Sequence, residues 1–171
     1  MVKTGNNKSV QIRDAIPNDA PAISRIYNQG IEDRLATLET QRRTPEERAA
    51  WLAARGPRHP VLVAVDGDAV VGWGSLNAFN PRPAYDHVAD FSVYVAREQR
   101  GRRIGDALLG ALEERAHQLG YHKLVLAAFP MNAAGMRLYE RHGFTMVGVY
   151  REQGQLDGHW VDVILMEKIL G

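Results

Sequence analysis

Between Phe91 and Leu109 the chain reads FSVYVAREQRGRRIGDALL: an alternating apolar run, a short basic loop and the opening of an amphipathic helix. Strand, loop and helix in that order set the free amides of a first helical turn, and the positive end of the helix dipole, at the tip of a strand. Such a turn suits a phosphate or diphosphate. Arg100, Arg102 and Arg103 add cationic side chains, and Gly101 and Gly105 let the backbone come close to a ligand. Two common nucleotide loops are disfavoured by spacing. No Lys-Ser or Lys-Thr pair follows the glycines, as a Walker loop needs, and the three-glycine dinucleotide fingerprint is absent. By residue type alone the stretch reads equally well as a basic loop before an ordinary surface helix.

Upstream, Pro81-Arg82-Pro83-Ala84-Tyr85 is a proline-stiffened loop. Its arginine has the fork geometry for a carboxylate or phosphinate-like group, and its tyrosine a hydroxyl to add. Asp90 begins the strand that follows. The histidines show no metal spacing and there is no HExxH, so a metal centre is not expected. With no cysteine in the chain, disulfides, thiolate ligands and a cysteine nucleophile are excluded.

These residues need elements to position them. Val10–Arg13 alternates as a short strand. Asn18 is placed to cap a helix with Ile23, Ile26 and Tyr27 on its apolar face and Gly30 at its end. Thr44-Pro45-Glu46-Glu47 is a capping box with proline at the first helical position, opening a helix that stops near Gly56. Val61–Val65 and Ala69–Leu76 flank Asp66-Gly67-Asp68 as a hairpin. Val88–Val95 is a strand with Phe91, Val93 and Val95 on one face. Ile104 to Leu119 follows a helical period up to Gly120. Leu124–Ala128, a helix over 132–141, and strands over 144–150 and 160–166 complete the chain. Met146 and Met166 are expected in the core. The order β-α-α-β-β-β-α-β-α-β-β implies a mixed α/β fold with helices on both faces of the sheet.

The length, 171 residues, fits one domain, with residues 1–9 as a disordered tail and 10–171 folded. Lys plus Arg is 21 against 20 for Asp plus Glu, a net charge of +1, so no general attraction to nucleic acid or an anionic membrane is expected. There is no secretory leader and no apolar run near the length that spans a bilayer, so a cytoplasmic location is the expectation.

Arg100-Gly101-Arg102-Arg103-Ile104-Gly105 resembles the Arg/Gln-x-x-Gly-x-Gly/Ala pyrophosphate loop of the GNAT superfamily of N-acetyltransferases. Asn132-Ala133-Ala134-Gly135-Met136-Arg137-Leu138-Tyr139-Glu140-Arg141-His142-Gly143-Phe144 resembles that superfamily's second signature. Pro81–Tyr85, Phe91-Ser92-Val93-Tyr94-Val95 and Gly158-His159-Trp160-Val161-Asp162 are similar to its phosphinothricin and methionine sulfoximine branch, which also includes arsinothricin acetyltransferases. The likeness runs over about residues 10–170. It implies a mostly antiparallel sheet splayed at an acetyl-CoA site, and direct acetyl transfer to the amine of a small amino acid in a ternary complex.

The resemblance also implies roles. Asp90 stands where the branch usually has Glu and is the candidate base, acting directly or through a water, and a substrate contact. Tyr139 is the candidate acid for the departing thiolate. Arg82, Tyr85, Phe91 and Ser92 would hold the substrate. Val93, Tyr94 and Val95 would meet the thioester and pantetheine, Arg100 to Asp106 the diphosphate, and Asn132, Tyr139 and Arg141 the rest of the coenzyme. Arg103 stands where the loop usually has glycine, so its amide can serve only if the backbone there does not require a positive φ. A homodimer is implied as well. A protein or peptide acetyltransferase, and a non-catalytic acyl-CoA-binding module, are the alternative readings.

Overall fold

A computed structural model describes residues 9–171, so the expected tail falls almost wholly outside the described residues. Seven strands form one sheet in the order β1-β2-β3-β4-β5-β7-β6. The strands are β1 (Gln11–Asp14), β2 (Val61–Asp66), β3 (Ala69–Ala78), β4 (Val88–Val95), β5 (Lys123–Ala128), β6 (Thr145–Leu156) and β7 (His159–Ile169). The helices are α1 (Ala20–Asp33), α2 (Pro45–Ala53), α3 (Ile104–Gln118) and α4 (Ala133–Arg141). Element order and the mixed, mostly antiparallel sheet match the expectation. Only β4 and β5 run parallel.

Alternation along β3 and β4 builds two cores. Leu76 on β3 and Phe91, Val93 and Val95 on β4 face α3, where Leu108, Leu109 and Leu112 are fully buried. Gly72 and Gly74 make this contact close: a Cβ on either would meet Leu108 or Leu112 at 3.0 and 2.8 Å. The opposite face carries Trp73 and Tyr94, stacked at 5.0 Å, under Ile23, Ile26 and Tyr27 of α1. Arg48 of α2, 8% exposed, lies over the rings of Tyr27 and Trp51 at 4.0 and 4.8 Å. There it gains cation–π attraction rather than an ion pair.

The capping box of α2 forms as expected: Thr44 Oγ1 accepts from the Glu47 amide at 3.1 Å, and Glu47 accepts from the Thr44 amide at 2.7 Å. Four local expectations fail. Asn18 does not cap α1: it lies in a short 3-10 turn over Pro17–Asp19, and the N-cap is Asp19, with no side-chain capping bond. The helix α1 does not end at Gly30; it runs to Asp33 and stops at Arg34, whose φ is 56°. Gly30 is instead a close-approach position, since a Cβ there would press on the Tyr94 ring at 3.1 Å. Strand β6 continues past Tyr150 through an irregularity to Leu156, so the expected long turn shrinks to Asp157-Gly158. Met146 is 58% exposed, whereas Met166 is buried as expected. No helix among the described residues is long and apolar enough to cross a membrane.

Candidate active site

The site originates in a ladder that stops. Strands β4 and β5 pair only at Val88, Ala89 and Asp90, opposite Lys123, Leu124 and Val125. Beyond Asp90 they diverge. The Ser92 and Tyr94 carbonyls lie 2.9 and 3.0 Å from where a Cβ on Gly74 and Gly72 would sit, so these residues point their backbone groups at β3. Backbone alternation turns those of Phe91, Val93 and Val95 the other way, into the gap. Val93 and Val95 thus offer unpaired strand groups, whereas Tyr94 reaches the gap only with its side chain.

The gap widens into a cleft of about 470 Å³ between the N-terminal end of α3 and one side of α4 along its length. Ile104, Gly105 and Asp106 of the first turn of α3 line it, as do Arg100, Gly101 and Arg103 from the loop. No side chain caps α3. Its first amides are therefore free for an anion. On the facing wall are Asn132, Tyr139 and Arg141. Asn132 caps α4, its Oδ1 accepting from the Gly135 amide at 3.0 Å, which leaves its Nδ2 to donate. The bare glycines, the open strand edge and the uncapped helix fit a long, polyanionic ligand such as coenzyme A.

Arg103 adopts φ 60°, so the backbone does require the left-handed region at this position. The condition on which the Arg103 amide was expected to serve the diphosphate is therefore not met, and the residue is held in a strained conformation. That conformation costs an L-residue about 1–2 kcal/mol, partly offset in a glycine by chain entropy. Arg103→Gly is expected to raise stability by about 0.5–1 kcal/mol, read as a higher denaturant midpoint with an unchanged slope. A lower midpoint would mean the arginine makes compensating contacts.

The loop cations are mostly anchored. Arg100 pairs with Asp33 at 2.7 Å, and Arg141 with Asp106 at 2.9 Å. Arg102 pairs with Asp66 at 3.0 Å and does not line the cleft, contrary to its expected place on the diphosphate. Arg103 is the most exposed and only 3.6 Å from Asp106.

At the last paired residue of β4, Asp90 is mostly buried. Burial pushes its pKa up to about 6, against a smaller downward pull from Asn77, whose Nδ2 donates to Asp90 Oδ1 at 3.5 Å. The same Nδ2 donates to Ser92 Oγ at 3.4 Å. Two hydroxyls share the neighbourhood. Burial raises Tyr139 to about 12, with the Asp90 charge adding to the rise. Burial likewise raises Tyr94 strongly, helped by Tyr27, Tyr139 and Asp90. Both phenols stay protonated near neutrality and can only donate or accept as neutral groups.

The remaining predicted residues are not drawn into the cleft. Phe91 is buried against Tyr139 and Phe144 in the core, its ring 6.0 and 5.4 Å from theirs. Arg82 is exposed in the loop before β4, its amide donating to Asn80 Oδ1 at 3.0 Å. Tyr85 packs edge-on against Phe79 and borders a second hollow, also about 470 Å³. Sequence reasoning missed Asn77 and Arg55. Their signal was faint: polar Ser75 and Asn77 alternating along an otherwise apolar strand, and an arginine in the loop just after α2. No cluster of three or more His, Cys, Asp or Glu able to hold a metal occurs among the described residues.

The comparisons agree with this geometry. A model of the acetyltransferase (GNAT) family matches residues 25–144. The L-methionine sulfoximine/L-methionine sulfone acetyltransferase of Pseudomonas paraeruginosa is 37% identical, covering 93% of this chain and 94% of its own. A crystal structure of a GNAT superfamily phosphinothricin acetyltransferase from Sinorhizobium meliloti in complex with AcCoA superposes with a TM-score of 0.90. It shares 30% identity over 95% of this chain and 89% of that one. A ribosomal-protein-alanine N-acetyltransferase structure from Brucella melitensis gives 0.89 at 38% identity, over 93% and 99% of the two chains.

Proposed function

From the premise that this chain belongs to the GNAT acetyltransferase family, we propose that it acetylates the α-amino group of a small amino acid of the phosphinothricin, methionine sulfoximine or arsinothricin type, using acetyl-CoA. One observation carries the reading. The β4–β5 ladder opens immediately after a buried carboxylate with a pKa of about 6, and the opening leads to an uncapped helix N-terminus. A proton acceptor thus stands where the two strands part and an anion cradle at the far end of the opening; Asp90 does not itself line the cleft, which begins on the same strand at Val93 and Tyr94.

Acetyl-CoA supplies the acetyl group as a reactive thioester. The open edges of Val93 and Val95 would hold its pantetheine, with Asn132 Nδ2, and the turn from Gly101 to Asp106 its diphosphate. Asp90, ionised above about pH 6, receives the proton of the substrate ammonium, directly or through one water. Tyr139 keeps its proton to about pH 12 and supplies it to the leaving sulfur. Transfer is direct, since the chain has no cysteine to carry an acyl group. Arg82, free on its loop, grips the acidic end of the substrate, with Tyr85 beside it.

Met146, Val147, Val149, Tyr150 and Trp160 are between 44 and 63% exposed on β6 and β7. Such a patch suits burial against a second copy, so we read the enzyme as a homodimer, and as cytoplasmic.

The test is thiol release from acetyl-CoA with free amino acids, their phosphinic and sulfoximine analogues, and short peptides. Release with the small analogues, and an Arg82→Ala variant whose KM for them rises about tenfold or more while acetyl-CoA binding holds, is the expected result. Release with alanine-terminated peptides alone would transfer the assignment to the protein-acetylating reading that the Brucella melitensis relative suggests.

A further inference from the structure

A hydrogen-bonded chain ties Asp90 to the loop that follows α2. Arg55, half-buried two residues past the last residue of that helix, donates through Nη2 to Asn77 Oδ1 at 2.9 Å and also to the Leu76 carbonyl. Its Nε donates to the His59 carbonyl at 2.8 Å, so the guanidinium is held on two sides. Ser75 Oγ donates to the same Asn77 oxygen at 3.0 Å. The Arg55 guanidinium, which can only donate, and the ionised Asp90 carboxylate, which can only accept, decide which way the amide faces: its nitrogen must point to Asp90, with the Ser92 hydroxyl accepting beside it. The reverse orientation would set Asn77 oxygen against a carboxylate oxygen and leave its nitrogen facing Arg55. Asp90 Oδ1 is thereby engaged, and Oδ2 accepts no hydrogen bond among the described residues.

We propose that Arg55 and Asn77 are positioning residues for Asp90: Arg55 locks the Asn77 amide, which holds Oδ1, favours the ionised carboxylate and leaves Oδ2 turned to the substrate amine. This rests on the reading of Asp90 as the proton acceptor. The other titratable groups facing Asp90 are Tyr94 of its own strand and Tyr139 of α4. Both are neutral over the working range, so the charge that reaches Asp90 through the relay is that of Arg55 in the loop after α2. Arg55 has no carboxylate partner among the described residues, and its bonds go to two carbonyls and the Asn77 amide. Its charge is therefore not spent on an ion pair of its own.

The experiment substitutes Asn77→Asp and Arg55→Met and reads two quantities: the acidic limb of kcat/KM against pH, and the Asp90 carboxyl titration by carbon NMR. Asn77→Asp keeps the bonds from Arg55 and Ser75 but replaces a donor to Asp90 with an acceptor. Both readouts are expected to move up by about one pH unit, with turnover depressed several-fold at pH 6 and recovering toward wild type at pH 9. Arg55→Met is expected to move them in the same direction by less, with KM for acetyl-CoA unchanged. If the aspartate variant does not fold, Asn77→Ala, which is smaller than the residue it replaces and has no side-chain donor, is expected to shift the limb upward as well.

Folded variants whose limb and titration match wild type would overturn the relay, as would a loss of rate that is equal at every pH. Asp90→Asn separates the two layers of the argument. Should it keep wild-type turnover, the base assignment fails, while the NMR titration still decides whether Asn77 and Arg55 govern Asp90 ionisation.

Discussion

Asp90→Asn is expected to lower the turnover of amine acetylation about a hundredfold or more at pH 7 while the Kd for acetyl-CoA stays within about twofold. Asparagine preserves the shape of the side chain, so the β4–β5 junction and the cleft should persist. What is lost is the proton acceptor. The wild-type enzyme should show a rate that rises with pH through about 6, as the carboxylate ionises, and the variant should lack that limb. Steady-state rates from pH 5 to 9, with calorimetric titration of acetyl-CoA, check both halves. Unchanged turnover would remove Asp90 from proton transfer.

The same substitution has a thermodynamic signature of opposite sign. Asp90 has its folded pKa raised from 3.8 to about 6, so the folded state binds this proton more tightly than the unfolded chain. Its contribution to stability is therefore greatest below about pH 3.8 and declines as pH rises through about 6. Above that the protein carries a desolvated charge. Each pH unit of the displacement is worth about 1.4 kcal/mol, so Asp90→Asn should stabilise the fold by on the order of 1–3 kcal/mol at pH 8 and by little at pH 4. A variant that is less active yet melts higher at pH 8 would mark a residue kept for chemistry at the expense of stability.

Gly105→Val is the second large effect. Gly105 sits in the first turn of α3, where a Cβ would lie 3.3 Å from Leu138 of α4 and 4.0 Å from Val95 of β4. A valine there drives its methyl groups between the two helices that border the cleft and covers the amides meant for the diphosphate. The Kd for acetyl-CoA should rise at least about tenfold, a loss of about 1.4 kcal/mol in binding. The control lies on the same helix. At Gly110 a Cβ comes no closer than 4.0 Å to His142, outside the cleft. Gly110→Ala should add about 1 kcal/mol of stability through helix propensity and leave acetyl-CoA affinity alone. Isothermal titration of both variants decides the matter, and equal affinities would show that the turn around Gly105 does not hold the coenzyme.

Much of this could be read from one dimension because the determinants are local. The capping box at Thr44 closes within four residues, the hairpin turns on Gly67, and the strand–loop–helix run from Val88 to Gln118 carries both the apolar period and the basic loop. The unread part depends on partners distant in sequence. Gly30 looked like a helix stop because nothing near it announces Tyr94, sixty-four positions on, against whose ring it packs. Nothing near Arg55 or Asn77 in sequence announces Asp90, beside which β3, β4 and the loop after α2 bring them. Met146 has the composition of a core residue, and only its place on the outermost strand leaves it bare. Arg103 shows the intermediate case: its departure from the usual loop residue was visible, but the sign of its φ was not.

The early parting of β4 from β5 has a mechanical corollary. Between β1–β4 and β5–β7 the main-chain seam is short among the described residues, a three-residue ladder extended by the His87 carbonyl, which accepts from the His122 and Lys123 amides, and beyond it the two halves are joined by helices and side chains. A ligand bonded along the exposed rim of β4 and braced on α4 would act as a splint across that seam. At a hundred times its Kd it would add about 2.7 kcal/mol to the cohesion of the whole protein. The reagent consumed in each turnover would then also be the strut that tightens the molecule, and the protein would be at its loosest in the interval between releasing the spent thiol and taking up the next donor.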